Sequence, residues 1–479
     1  MKFRAGRMDN VLEEPVRRRF IDILGPQGFR DDEQTRVSYS YDATPAYRSK
    51  PAGVVFPEAT WQVSEILKVC SEYRIPVVTR GAGSNLCAGT VPGEGELVMA
   101  MTRMNRLLEI DRENLTATVQ PGLNTKTFHE EVEKHGLFYP PDPSSMVICT
   151  LGGNIALGSG GLRGLKYGTT KDYVLGLEAV LPNGDVIRTG GKLVKDVAGY
   201  DLTRLLVGSG GTLAIITEAT LKLVPKPPFR LAMIAVYGDL YGAARSVSSI
   251  IAARIIPCTL EFMDQATIRV VEDFARIGLP ADAEAILAIE QDGEEEQVRR
   301  DLNLISYICR NEGALEVRVA ERPEEGEKIM AARRSALAAL SRLRPTTILE
   351  DATVPRSKIA DMVLAIQRIA RKHGVQICTF GHAGDGNLHP TALTDARDAE
   401  EMARVERAFE EIFEEAIRLG GTITGEHGVG VVKAPYLEWK AGAAGVELMK
   451  RIKQAFDPHN LLNPGKMFAE TRKRVVVQR

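Results

Sequence analysis

The chain has 479 residues, 44% of them hydrophobic and 26% charged, which excludes a disordered or fibrous protein and supplies apolar material for several domains. Its 61 Lys and Arg against 63 Asp and Glu leave a net charge of −2, and a near-neutral chain does not advertise a nucleic-acid surface. The six cysteines form no C-x-x-C pair, which argues against a zinc ribbon, a dithiol redox motif and a cysteine-ligated iron–sulfur cluster.

Residues 1–49 read as a helical lead-in followed by a loop, with no apolar run of the kind a secretory signal needs. No stretch approaches the ~18 apolar residues of a membrane span, so the expected location is the cytoplasm, with any membrane contact made through a partner. Val63, Ile66, Leu67 and Cys70 recur at helical spacing and predict a helix over 61–73. A short strand over 75–79 runs straight into a glycine loop that starts at Arg80. Strands are expected over 97–101, 107–110 and 116–120, and a helix over 124–135. Asn183-Gly184 suits a tight primed turn and makes 175–189 a hairpin. Residues 212–224 are strand-rich, and Pro225, Pro227 and Pro228 mark a boundary after 227.

From 229 onward strand and helix alternate. Strands are expected over 230–237, 259–263, 285–291, 315–320, 346–354 and 376–381, as an α+β sheet with helices on one face. The acidic run 292–296 reads as a solvated first helical turn. A long helix over 397–419 precedes a glycine-rich segment, 420–430, and the segment 455–468 is rich in Pro, Asn and Gly.

Glycine is what changes along the chain: residues 151–211 hold 15 of its 44 glycines, a density that lets main chain approach a ligand closely. The loop Arg80, Gly81, Ala82, Gly83, Ser84, Asn85 could converge amide N–H groups on a phosphate. It is not the nicotinamide fingerprint, because Leu86 stands at its third glycine position; Arg163 spoils the frame that starts at Gly158 in the same way. Pro140-Pro141-Asp142-Pro143-Ser144-Ser145 stiffens one wall. Thr150-Leu151-Gly152-Gly153-Asn154 and Gly158-Ser159-Gly160-Gly161 offer bare backbone to a flat ring or a pyrophosphate. Val197-Ala198-Gly199-Tyr200-Asp201 and Gly208-Ser209-Gly210-Gly211-Thr212-Leu213 follow.

With these motifs together, residues from about 50 to 226 resemble the FAD-binding domain of the vanillyl-alcohol oxidase / p-cresol methylhydroxylase (PCMH) flavoproteins. Within that superfamily nearly the whole chain is similar to the FAD-linked D-2-hydroxyacid dehydrogenases, the branch of the glycolate oxidase FAD subunit and the D-lactate dehydrogenases. The implied fold is α+β. A two-part PCMH-type FAD-binding domain (50–227) joins an α+β substrate or cap domain (228–420) with an antiparallel sheet, and a C-terminal segment (421–479) returns to the flavin. The resemblance implies FAD contacts at Arg80, Gly81, Ala82, Gly83, Ser84, Asn85, Pro141, Asp142, Thr150, Gly152, Gly153, Asn154, Gly160, Gly161, Ile216 and Asn463. Two positions depart from the family turn: Gly210 replaces a glutamate and Ala214 a glycine. Ser84 and Asn85 stand where covalently flavinylated relatives carry a histidine, so non-covalent FAD is implied.

A second cluster has its own chemistry. Phe380-Gly381-His382-Ala383-Gly384-Asp385-Gly386-Asn387-Leu388-His389 holds two of only seven histidines, and Gly425-Glu426-His427-Gly428 adds a carboxylate and a third. His382, His389 and Glu426 make a three-point site for Zn or Mn with open positions, or else histidines that satisfy loop carbonyls. The resemblance favours the metal and implies His427 as catalytic base and Arg333, of the pair Arg333-Arg334, as the clamp on a substrate carboxylate. It also implies a small substrate. Ile348-Leu349-Glu350-Asp351 lacks the lysine, and Thr391 replaces the asparagine, of relatives that take dicarboxylates. His459 reads as structural.

The expected activity is oxidation of a small D-2-hydroxy acid to a 2-oxo acid. Electrons would leave to an external acceptor: a partner subunit, an electron-transfer flavoprotein or a quinone system. A homodimer is a candidate assembly. The alternatives are another flavoenzyme on the same fold, and a flavin-free metal hydrolase using His382, His389 and Glu426 with an activated water.

Overall fold

The computed structural model describes residues 12–45 and 47–468; positions 1–11 of the expected lead-in and 469–479 of the C-terminal segment lie outside the described residues. The lead-in that is described contains two helices, Glu14–Leu24 and Glu33–Ser38.

The FAD-binding half carries two sheets. One has four strands in the order Phe29–Arg30, Gly53–Val55, Leu97–Ala100, Val77–Arg80, with the last three parallel. The helix Thr60–Tyr73 provides the crossover from Gly53–Val55 to Val77–Arg80, which flank Leu97–Ala100 in the sheet, and buries Val63, Ile66, Leu67 and Cys70, the stripe that predicted it. The other sheet is antiparallel, in the order Leu107–Asp111, Thr116–Val119, Ile215–Lys222, Val174–Val180, Val186–Gly190. The Asn183-Gly184 hairpin forms as expected, with Gly184 at φ +88°.

The second half is built on one eight-stranded sheet, in the order Ala314–Val319, Phe229–Tyr237, Ala285–Gly293, Thr259–Asp264, Gln376–His382, Asn387–Thr394, Thr346–Leu349, with Ala352–Thr353 also on Asn387–Thr394. Every pairing in it is antiparallel. The expectation of helices on one face is corrected. Leu231, Met233, Ala235 and Tyr237 enter one core, while Ala232, Ile234 and Val236 of the same strand enter another. Alternation places these sets on opposite faces, and helices cover both. Leu240–Ala252, Glu295–Asn311, Ile359–His373 and Ala399–Arg418 contribute to the first core, and Gln265–Ala275, Pro323–Arg334 and Ala336–Leu340 to the second.

Three further expectations are corrected. The strand expected over 346–354 breaks at Glu350-Asp351 into Thr346–Leu349 and Ala352–Thr353. The supposed loop after His382 is a hairpin, its return strand Asn387–Thr394 carrying His389. The acidic run is not all solvated: Asp292 is buried, accepts from Tyr167 Oη at 2.8 Å and pairs with Lys166, which ties the two halves together.

The C-terminal segment returns to the FAD-binding half after a helix that the sequence reading missed, Leu437–Phe456. Val77 N donates to Leu461 O at 2.7 Å, and Asn463 N donates to Val77 O at 2.8 Å. The return is held by Lys453, whose buried ammonium donates to Thr212 O at 2.8 Å, Leu462 O at 2.9 Å and Asp457 Oδ2 at 2.5 Å. Asp457 in turn accepts from Leu461 N at 2.9 Å and Leu462 N at 2.7 Å. No helix among the described residues is long and apolar enough to cross a membrane.

Lys453→Met leaves the Asp457 carboxylate buried and uncompensated, a change worth about 3–5 kcal/mol. The urea midpoint is expected to fall accordingly and FAD to be held less tightly; an unchanged midpoint contradicts this role.

Candidate functional site

A cavity of about 440 Å³ lies where the FAD-binding half, the second sheet and the C-terminal return meet. One part of its wall is the loop after strand Val77–Arg80, with Gly81, Ala82, Gly83, Ser84 and Asn85 all on the lining. Asn85 builds this loop: its Nδ2 donates to Asp42 Oδ2 at 2.9 Å and its Oδ1 accepts from Gly89 N at 2.8 Å. Thr150, Gly152, Gly153 and Asn154 line another part. Thr150 caps the helix Leu151–Leu157 by accepting from Gly153 N. A Cβ on Gly152 would lie 2.4 Å from the Pro121 Cβ, and one on Gly81 2.2 Å from Thr150 Oγ1. Packing alone therefore demands bare backbone there. Ile216 and Asn463 complete the expected lining, with Asn463 Oδ1 accepting from Thr79 N at 2.9 Å and its Nδ2 donating to Gly210 O at 2.6 Å.

Five expected cofactor residues stand off this wall. Arg80 turns away, donating to Tyr41 O at 2.6 Å and stacking 5.3 Å from the Tyr39 ring. Pro141 accepts from His129 through its carbonyl, and Asp142 accepts from Arg163 N at 3.1 Å. Gly161 packs on the Asp142 backbone, and a Cβ on Gly160 would lie 2.6 Å from Glu426 Oε2. These residues shape the wall from behind. Lys466, buried and on the lining, was missed; the Asn463-Pro464-Gly465-Lys466 ending was its signal.

The metal-type residues come together at one end of the cavity. In the hairpin register His382 stands opposite Asn387, and Phe380 opposite His389, so the two imidazoles are diagonal neighbours on one face. Their ring centroids are 5.0 Å apart. Glu426 arrives from the loop 424–428, with Oε1 3.3 Å from His382 Nε2 and 3.4 Å from His389 Nε2. One ligand atom from each of the three residues lies within 4.8 Å of the others. That spacing and donor set fit a divalent cation. Glu426, His389, His427 and Arg333 also line the cavity, while His382 sits just behind.

Two buried carboxylates that the sequence reading did not single out shape this end. Asp351, at the strand break, accepts four bonds on Oδ2: from Thr424 Oγ1 at 2.8 Å, Gly425 N at 2.7 Å, Glu426 N at 2.9 Å and His427 N at 3.0 Å. It fixes the loop that carries Glu426 and His427. Glu261 Oε1 binds His382 Nδ1 at 2.7 Å, and its Oε2 lies 2.5 Å from Arg333 Nη2. Each had a signal: an acid inside an apolar strand pattern. Arg333 is buried over the Phe380 ring at 4.7 Å, and its Nε has no hydrogen-bond partner among the described residues.

Electrostatics separate the three imidazoles. Burial opposes charge on His382, but Glu261 and Glu426 overcome it and raise its pKa well above the ordinary value. Burial, then charge on His382, push His389 well below. Burial lowers His427 too, against the pull of Asp351. Glu426, despite burial, is held down at about 2 by His382 first and then His389. His427 stacks on His389 at 5.3 Å between centroids with 9° between planes, and its Nδ1 has no hydrogen-bond partner among the described residues.

Two family models match this chain: an FAD binding domain over residues 51–190 and the C-terminal domain of FAD linked oxidases over residues 226–467. The glycolate oxidase subunit GlcD of Bacillus subtilis is 61% identical, over 98% of this chain and 100% of its own. GlcD of Escherichia coli K12 is 38% identical, over 96% and 93%. A D-lactate dehydrogenase of Archaeoglobus fulgidus is 36% identical, over 90% and 95%. Among solved structures, p-cresol methylhydroxylase with substrate bound superposes with TM-score 0.81 at 18% identity, covering 95% of this chain and 96% of that one. A 4-ethylphenol oxidase from Gulosibacter chungangensis gives 0.77 at 20% identity, covering 96% and 99%. These likenesses show the expected PCMH-type fold.

Gly160→Ala places a methyl group against the Glu426 carboxylate and must displace it. Calorimetric Zn²⁺ binding is expected to weaken about tenfold or more while the melting temperature stays near that of the parent. Parental affinity would refute the contact's importance.

Proposed function

The chain belongs to the FAD-linked oxidase family, and on that premise we propose that it oxidises small D-2-hydroxy acids such as D-lactate, and the achiral glycolate, to 2-oxo acids. The observation that supports this most is the convergence of Arg333, His427 and the His382–His389–Glu426 cluster at one end of the FAD cavity. The FAD-binding match removes the flavin-free hydrolase. The names of the relatives favour hydroxy acids over phenols.

Bound FAD, held non-covalently by the glycine-lined wall, supplies the hydride acceptor, and a divalent cation on His382, His389 and Glu426, Zn or Mn, supplies Lewis acidity. Arg333 binds the substrate carboxylate through donors that Glu261 leaves free. His427, neutral because burial lowers its pKa, accepts the proton of the 2-hydroxyl. Asp351 holds His427 and Glu426 in register through their backbone N–H groups. Leu337, Leu349 and Phe380 give this end an apolar wall, with Arg334 beside them on the lining. The six cysteines are free and buried, and electrons leave to an external acceptor: a partner subunit, an electron-transfer flavoprotein or a quinone system. That acceptor also provides any membrane contact.

Anaerobic D-lactate or glycolate is expected to bleach the flavin band. His427→Ala is expected to retain FAD and slow this bleaching by about 10²–10⁴-fold; bleaching at the parental rate removes His427 as base. Exhaustive chelation is expected to lower the bleaching rate without releasing FAD. Unchanged turnover after complete metal removal contradicts the metal's part in the reaction.

A further inference from the structure

We propose that Glu261 is a positioning residue that sets both the metal ligand His382 and the carboxylate clamp Arg333, an assignment that rests on the function proposed above. Glu261 lies mid-strand in Thr259–Asp264 and is 0% exposed. The antiparallel register puts it opposite His382, so both side chains leave the sheet on the same face. One carboxylate oxygen meets His382 Nδ1 at 2.7 Å; the other meets Arg333 Nη2 at 2.5 Å.

Desolvating a carboxylate at this depth costs several kcal/mol, and an apolar side chain would fill the strand without that cost. What the charge does is orient one hydrogen-bond donor, His382 Nδ1–H, and one cation, the Arg333 guanidinium, which it meets as an ion pair. With Nδ1–H committed to Glu261, the lone pair of His382 is left on Nε2, the atom that lies 3.3 Å from Glu426. A carboxylate behind an imidazole fixes the ring and raises its basicity toward a metal. The same carboxylate holds the guanidinium over Phe380, so Arg333 meets its substrate in one orientation. Because a single carboxyl group bridges them, the clamp and the metal locus keep a short, fixed spacing. That spacing suits a substrate whose carboxylate and hydroxyl sit on adjacent carbons.

Glu261→Gln keeps the size but removes the charge that pairs with Arg333 and leaves a single oxygen to accept from His382. The test titrates Zn²⁺ into the metal-depleted, FAD-loaded protein. The Kd is expected to rise about 10–100-fold in Glu261→Gln with an unchanged flavin spectrum. At saturating Zn²⁺ the KM for glycolate is expected to rise more than the limiting rate of flavin reduction falls. Should the unpaired Arg333 prevent folding, Glu261→Gln/Arg333→Leu removes that cation, and the same loss of Zn²⁺ affinity is expected. Arg333→Leu alone is expected to keep the parental Zn²⁺ affinity. A parent that binds Zn²⁺ and a Glu261→Gln protein that binds it equally well overturn the role of Glu261 and leave the proposed function standing. A parent that binds no divalent metal overturns the metal site and this inference together.

Discussion

A one-residue slip between Gln376–His382 and Asn387–Thr394 would turn one set of site side chains to the opposite face of the sheet. The site depends on this register. It aligns Phe380 with His389, and the next pairing aligns His382 with Glu261. Register is strongly specified where both faces are buried, and this sheet is buried on both: Leu388 and Ala392 enter one core, Phe380 and Leu393 the other. Gly381 contributes because a Cβ there would lie 2.3 Å from Asn387 O, so any side chain would force the hairpin strands apart. The same packing that stabilises the sheet therefore fixes the geometry of the imidazoles.

The cavity needs a second constraint, because its walls come from distant parts of the chain. Residues 461–463 bond to strand Val77–Arg80, and the buried Lys453–Asp457 pair holds that return in place. Asn463 then joins Thr79 to Gly210, linking two walls of the FAD cavity by one side-chain amide. At the opposite side Lys166 and Tyr167 grip Asp292. Asp457 and Asp292 are both buried, and a buried carboxylate left without its partner is costly, so the two halves favour one arrangement.

Much of this was legible in the sequence, and what was hidden has physical reasons. Helical spacing and Asn-Gly chemistry are local, and the helix Thr60–Tyr73 and the hairpin at Gly184 followed from them. The cluster His382, His389, Glu426 was visible because histidine is rare in this chain, with seven residues, and Glu426 stands beside a third histidine in a glycine-rich segment. The hairpin bearing the histidines was hidden because glycine density reads as loop, whereas Gly381 serves a close strand approach. Arg80 was implied as an FAD contact at the start of a glycine loop, but its partners Tyr39 and Tyr41 come from a segment whose approach no local pattern reveals. Leu437–Phe456 was missed because the non-helical Gly442 interrupts its period. Glu261 and Asp351 showed only as acids in apolar strands, and their meaning depends on which strands become neighbours.

The charges around the histidines do not balance through side chains alone. Glu261, Glu426, Glu350 and Asp351 are all buried or nearly so, and the cations set directly against them are Arg333 and Lys433. Asp385 adds a further half-buried carboxyl, and desolvation raises its pKa to about 6. The protein answers this excess at His382, which Glu261 and Glu426 drive toward its protonated form. A proton on His382 Nε2 would sit between His382 and Glu426, among the atoms grouped for a metal. A divalent cation at that point would offset the surplus more fully, and it would leave His382 neutral with its lone pair engaged. Burial pushes His389 and His427 toward neutrality, the direction that the proposed ligand and base roles need. The positions of the buried carboxylates thus support the proposed cation site beside His427, and they do so independently of any likeness to another protein.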